Sequence, residues 1–298
     1  MIRHVMRQSA WTLAVMAGLA IAAIFGTGAA LAAQPVPWQM GLQPAATDVH
    51  ADIRAFESFT LVIITVITLF VLALLIYVMV KFNAKANPVP SKTSHNTLIE
   101  VVWTVAPVMI LVLIAIPSFR LLYKELIIPP VDITVKATGY QWYWGYEYPD
   151  LKDAKNKPVS FDSVMLGDAD RKDPVKQPRL LAVDNNLVVP VGKVVRVQVT
   201  AADVIHALAV PAFGIKIDGY PGRLNETWFK ANHTGMFYGQ CSELCGKDHS
   251  AMPIAVQVVT EEQYAAWSTA AQKSLSDANK VLAAMIEADE KTTAVAQR

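Results

Sequence analysis

Two cysteines in 298 residues are too few for a disulfide framework. A net charge of +1 leaves no basic footprint for nucleic acid, and no segment repeats another. Charged residues make up only 17% of the chain, against 53% hydrophobic residues. That imbalance is high for a soluble protein. The apolar excess sits in a few runs, which points to membrane segments.

The first of these runs lies in residues 1–33, which read as a secretory signal. Arg3, His4 and Arg7 supply a positive start, an apolar stretch follows from Trp11 to about Phe25, and Ala29-Ala30-Leu31-Ala32-Ala33 offers a small-residue cleavage site. The alternative is a retained first transmembrane helix, weakened by Gly18, Gly26 and Gly28. An exported segment at 34–58 precedes a transmembrane hairpin at 59–122. Its two spans, Phe59 to Val80 and Val101 to Leu122, are each long enough to cross a hydrocarbon core of about 30 Å. The linker 81–97 carries Lys81, Lys85 and Lys92 and no acid, which places it in the cytoplasm and both hairpin ends outside. Pro107 and Pro117 are expected to kink the second span.

From about Val131 the pattern turns to short β-type runs at 131–136, 179–183, 187–189, 193–199, 205–210, 227–229, 235–238 and 253–259. Turn residues separate them, as in an antiparallel sandwich or barrel. The polar stretch 151–177 reads as a surface insertion. An Ala-rich amphipathic helix starts at Glu261, with the last dozen residues frayed. The aromatics at 140, 142, 144, 146 and 148 have the period of one strand face.

Both cysteines fall in Gln240-Cys241-Ser242-Glu243-Leu244-Cys245-Gly246-Lys247-Asp248-His249-Ser250-Ala251-Met252-Pro253. Three readings are open. In an oxidising compartment the pair could close a disulfide, although so short a loop stabilises little. With an upstream histidine it could form a Cys2His2 zinc site, which has no use for Met252. Thiolate, imidazole and thioether together suit copper best. His206, at the end of a strand pattern, is the candidate remote ligand. A second thiolate makes a two-copper site sensible, since two thiolates can bridge two cations.

The loop resembles the binuclear copper A loop of cytochrome c oxidase subunit II. Gln141-Trp142-Tyr143-Trp144, Val183-Asp184-Asn185, Asp203-Val204-Ile205-His206, Pro221-Gly222-Arg223 and the start of the second span at His95-Asn96-Thr97 are also similar to that family, over roughly residues 45–265. The resemblance is closest to bacterial aa3-type oxidases. It implies a membrane-anchored all-β protein. The two-helix transmembrane hairpin is followed by a cupredoxin-like Greek-key β-barrel or sandwich at 123–260 and a helical C-terminal tail at 261–298. Cys241 and Cys245 would bridge two copper ions, and His206 and His249 would each bind one. Met252 would be a weak ligand to one copper, and Glu243 would give its backbone carbonyl to the other. The Glu243 side chain would bind a magnesium ion shared with subunit I.

The same resemblance makes Trp142 the point at which electrons arrive from cytochrome c. Glu147, Asp184 and Asp203 become acids that meet its lysines. Glu100 becomes the mouth of the K proton pathway, although Thr97 to Glu100 also reads as a helix capping box. Acids and bases are about equal over 131–260, so docking must rest on a local patch. The implied partners are subunit I, subunit III, cytochrome c and membrane lipid. The implied location is the bacterial inner (cytoplasmic) membrane, with the copper domain on the periplasmic side. The implied function is to accept electrons from cytochrome c and pass them to haem in subunit I, for oxygen reduction coupled to proton pumping. A copper-delivery protein, a copper-free quinol-oxidase subunit and a nitrous oxide reductase domain are the rivals. The complete ligand set, the hairpin and the aromatic segment weigh against them.

Overall fold

The computed structural model describes residues 33–296. The signal reading therefore lies outside the described residues except for Ala33. Two long helices come first, α1 at Asp48–Lys81 and α2 at Thr97–Leu126. At 34 and 30 residues they extend about 51 and 45 Å, more than a hydrocarbon core requires. Nearly all their apolar side chains are exposed: α1 buries only Val49 and His50, and α2 buries none. Such surfaces belong against lipid or other protein.

α1 starts eleven residues before the expected span. Thr47 caps it, its hydroxyl accepting from the His50 backbone N–H at 3.0 Å while donating to the Phe213 carbonyl at 2.7 Å. The polar first turns are thus helical because the β-domain holds them. At the start of α2 the cap is Asn96, whose side chain accepts from Ile99 N at 3.2 Å. Thr97 is already helical, so Glu100 is not the partner in a capping box. α2 runs through Pro107 and Pro117 as one helix. Its far end is fixed to the β-domain by Trp228 Nε1, which donates to the Glu125 carbonyl at 3.0 Å, and to α1 by the Lys124–Asp52 ion pair.

Ten strands form a two-sheet sandwich. One sheet has the order β3-β2-β1-β5-β8, with β1 Ile133–Tyr140, β2 Tyr143–Lys152, β3 Pro158–Ser163, β5 Val194–Ala201 and β8 Asn225–Lys230. The other has the order β4-β10-β9-β6-β7, with β4 Leu187–Pro190, β6 His206–Val210, β7 Ile215–Gly219, β9 Gly235–Cys241 and β10 Pro253–Val259. β1 with β5 and β4 with β10 are parallel; the other pairs are antiparallel. Alternation on β5 buries Val195, Val197 and Val199 against the inward faces of the facing sheet. Phe213 fills the middle, with ring centroids 4.5 Å from Phe229 and 4.8 Å from Phe237.

Three strand expectations need correction. The aromatic run 140–148 is not one strand: β1 ends at Tyr140, the chain turns through Gln141 and Trp142, and β2 begins at Tyr143. Trp144, Tyr146 and Tyr148 do share the buried face. Residues 179–183 form a turn with one bridge, Met165 to Val183. The polar insertion contains β3, an edge strand. Edge strands carry polar and charged residues because pairing outward must be discouraged, which hides them from a hydrophobic pattern.

The tail is two helices, α3 at Glu261–Ala271 and α4 at Leu275–Ala296, with a break between them. α4 continues where fraying was expected, supported by the Lys291–Glu287 pair and by Gln263 Nε2 donating to Asp289 at 2.7 Å. Trp267 is fully buried, 5.3 Å from the Tyr148 ring, and donates to Asn279 Oδ1 at 3.1 Å. Trp267→Ala is expected to cost about 3–5 kcal/mol. Limited proteolysis should then release the tail from residue 261 onward before the sandwich is cut; an unchanged digestion pattern would show that the tail is held elsewhere.

Candidate metal centre

The site lies where β6, β9 and the loop into β10 meet. β6 and β9 pair with Leu208 opposite Cys241, which puts His206, two residues back, on the same face. Ser242 N donates to the Ala207 carbonyl at 3.0 Å and Cys241 N to the Met252 carbonyl at 3.4 Å, closing the loop 242–252 against the sheet. From the facing sheet, Gly139 leaves room for the imidazole: a Cβ there would stand 2.7 Å from the His206 ring. The Trp144 ring packs edge-on to that imidazole at 6.1 Å.

Six donors of four types converge. The two Sγ atoms are 3.8 Å apart, and both cysteines are free thiols. Cys241 Sγ is 3.9 Å from His206 Nδ1 and 3.4 Å from the Glu243 carbonyl oxygen. Cys245 Sγ is 3.5 Å from both His249 Nδ1 and Met252 Sδ. Donors lying about 2.0–2.3 Å from a common ion at near-tetrahedral angles are separated by roughly 3.3–3.8 Å, so the spacing suits ligation. His206, Cys241, Cys245 and Met252 are all buried; His249 and Glu243 are half-buried.

Burial pushes the Cys245 thiol up to about 12, with the adjacent Cys241 adding to the rise. A bound cation, by contrast, deprotonates coordinating thiols outright. Met252 aims its sulfur at the thiol pair, which a zinc or disulfide reading leaves without purpose. The donor set fits copper.

The other sequence candidates divide. Trp142 stands at the tip of the β1–β2 hairpin, and its Nε1 donates to the Cys245 carbonyl at 3.3 Å. Gln141 Nε2 donates to the same carbonyl at 2.9 Å. Gly246, with φ +124°, allows this approach: a Cβ would lie 3.0 Å from the Trp142 ring. Asp203 has its carboxylate turned inward to His206 Nε2 at 2.9 Å and to Gln141 N at 2.7 Å. Burial raises its pKa, but these bonds and the one from Val204 N outweigh that and hold the carboxyl below the usual range.

Asp184 accepts from Val164 N at 2.7 Å and stays exposed, while Glu147 is half-buried and lies opposite Lys136 in the sheet. The sequence reading missed Asp162. It lies opposite Gly145 on β3, and burial together with the Asp162, Tyr140 and Asp203 charges raises the Tyr143 hydroxyl. Alternation within a recognised β3 would have pointed to it. Glu100 is not brought near the metal donors. It sits at the far end of α2 from the Trp228–Glu125 attachment, about 37 Å along the helix.

The chain matches the family model described as cytochrome c oxidase subunit II, periplasmic domain, over residues 133–259, and that of its transmembrane domain over residues 35–121. The chain belongs to the cytochrome c oxidase subunit II family. A probable cytochrome c oxidase subunit 2 of Rickettsia bellii is 52% identical over 242 residues, covering 81% of this chain and 87% of the Rickettsia protein. The subunit 2 of Cereibacter sphaeroides is 46% identical over 267 residues, covering 84% and 86% respectively. The solved periplasmic domain of subunit II of Bradyrhizobium japonicum cytochrome oxidase is 62% identical. It covers 49% of this chain and 97% of that one, with a TM-score of 0.43. In this subunit II the two long apolar helices make a membrane protein.

Met252→Leu conserves volume, so stability should change by less than about 1.5 kcal/mol. The visible absorption and EPR spectra of the copper-loaded protein should nevertheless shift. Spectra identical to those of the unsubstituted protein would reduce Met252 to packing.

Proposed function

We propose that this chain is the electron-accepting subunit of a cytochrome c oxidase, holding a two-copper centre. The observation that carries this reading is the convergence of two free buried thiols with two imidazoles, a thioether and a backbone carbonyl. Copper held there would supply one-electron chemistry. Cys241, Cys245, His206, His249, Met252 and the Glu243 carbonyl would hold the ions. The Glu243 carboxylate is assigned to a magnesium ion shared with subunit I.

The chain's own residues set the conditions for fast transfer. Burial excludes water from the donors, and the two sheets fix them, so little need rearrange when an electron arrives. Trp142 is one hydrogen bond from the carbonyl of a ligand cysteine, which suits the point where electrons are received. Asp162 and Asp203 both act on Tyr143, the neighbour of Trp142, and with Asp184 and Glu147 they are assigned to docking a basic redox partner, cytochrome c, although the whole chain carries only +1. Electrons then pass to haem in subunit I. Subunits I and III and lipid cover the exposed helix faces. The lysines of the linker support a cytoplasmic position for it, which puts the copper domain on the periplasmic side of the bacterial inner membrane. Glu100, at the linker end of α2, is assigned to proton uptake.

Purification from membranes with the partner subunits should give two coppers per chain in this centre and an EPR signal of one electron shared by two nuclei. One copper with a mononuclear signal, or zinc in its place, would sink the reading. Asp162→Asn should slow cytochrome c turnover several-fold at low salt and much less at high salt. A salt-independent effect would remove the residue from the docking surface.

A further inference from the structure

One carboxylate joins the exposed acidic surface to the buried donors. Asp203 Oδ1 is 2.9 Å from His206 Nε2 and also accepts from Val204 N at 2.7 Å; its Oδ2 accepts from Gln141 N at 2.7 Å. The other ring nitrogen, Nδ1, is the one that faces Cys241 Sγ. A neutral imidazole carries one N–H and one lone pair, and an ionised carboxylate can only accept. The bond to Asp203 therefore keeps the proton on Nε2 and leaves the Nδ1 lone pair for a metal. Little else orients this ring by polar contact: Gly139 gives it space, and Trp144 packs on its edge.

The second oxygen acts on the other side of the site. Through Gln141 N it anchors the β1–β2 hairpin tip, and that tip grips the Cys245 carbonyl through Gln141 Nε2 and Trp142 Nε1. The same group thus touches one ligand directly and another through two residues.

We propose that Asp203 is a positioning residue for the metal centre: its carboxylate fixes the tautomer and angle of His206 and ties the Trp142 hairpin to the ligand loop, beyond any part it takes in partner docking. The inference rests on the copper reading above. Partners of this kind, lying one bond behind a metal-bound histidine, raise ligand basicity, and their loss typically weakens metal binding about 10–100-fold. Greater basicity favours the oxidised metal, so loss of the carboxylate raises the reduction potential.

The test compares Asp203→Asn, Asp203→Glu and Asp184→Asn in the purified oxidase complex. Asp184 has no hydrogen bond to a donor residue, so its substitution should alter the KM for cytochrome c at low salt and leave the potential and EPR signal unchanged. Asp203→Asn places an amide against the Gln141 N–H and the His206 N–H. It should raise the potential, change the EPR hyperfine pattern and increase copper loss to a chelator about 10–100-fold. Asp203→Glu keeps a carboxylate within reach and should recover most of the copper retention. If Asp203→Asn changes only the KM, with the potential, EPR signal and copper retention of the unsubstituted complex, the positioning role is refuted while the copper reading stands. If the unsubstituted complex shows no shared-electron copper signal, the copper reading fails and the inference falls with it.

Discussion

Two thiols buried side by side dominate the chemistry of this domain. Water cannot solvate them, and burial drives Cys245 strongly toward its protonated form. A pocket that crowds Cys241, Cys245, Met252 and two imidazole nitrogens is unfavourable for anions until a cation compensates them. The backbone makes the pocket non-negotiable. Cys241 is the last residue of β9, Met252 directly precedes β10, and the Cys241 N–H to Met252 carbonyl bond closes the loop between them. Loop geometry, donor chemistry and the need for positive charge therefore point to one outcome, a bound soft metal.

The centre is also a product of how the two sheets pack. His206, the cysteines and Met252 come from one sheet and its loop, whereas Gly139, Trp144, Gln141 and Trp142 come from the other. A side chain larger than hydrogen at Gly139 would meet the imidazole ring, and one at Gly246 would meet the indole. The donor geometry is consequently coupled to the sandwich core: a shift of one sheet relative to the other would move the histidine against the thiols. The same core receives the tail through Trp267 on Tyr148, which gives the two C-terminal helices a structural place as a brace behind β2.

Most of the donor set was legible because five of its six members lie within twelve residues of sequence, Cys241 to Met252, and because His206 heads a strand with a readable pattern. The parts that escaped share a cause. β3 is an edge strand whose Pro, Ser and Asp content imitates a loop, and Asp162 disappeared with it. The first turns of α1 carry Asp48, Asp52, Arg54 and Glu57, so a search for apolar length could not find a start that depends on Thr47 bonding to Phe213 across 166 residues. The period-two aromatics fit one strand as well as a hairpin, since a turn at Gln141–Trp142 preserves the alternation on β2 while reassigning Tyr140. Asp203 was legible as an acid but not as a partner of His206. That bond depends on how the chain enters β6, which no pattern of residue types encodes.

An electron-receiving site faces opposed requirements. Its donors must be dry and rigid, and its surface must be charged and open to a partner that comes and goes. The hairpin tip and Asp203 reconcile these over a very short distance. Trp142 is half-buried, its ring accessible on one side and hydrogen-bonded to the ligand loop on the other. The Asp203 carboxylate lies at the rim, a third exposed, while both its oxygens serve internal donors. A docking surface built of independent exposed acids could attract a partner, but it would have no fixed relation to the metal ligands. On the roles proposed for Asp203, an acid at the rim that also holds the ligand would set the orientation of the docking surface and that of the imidazole by the same bonds. The distance an electron must cross would then be defined by the fold and not by the accident of each encounter.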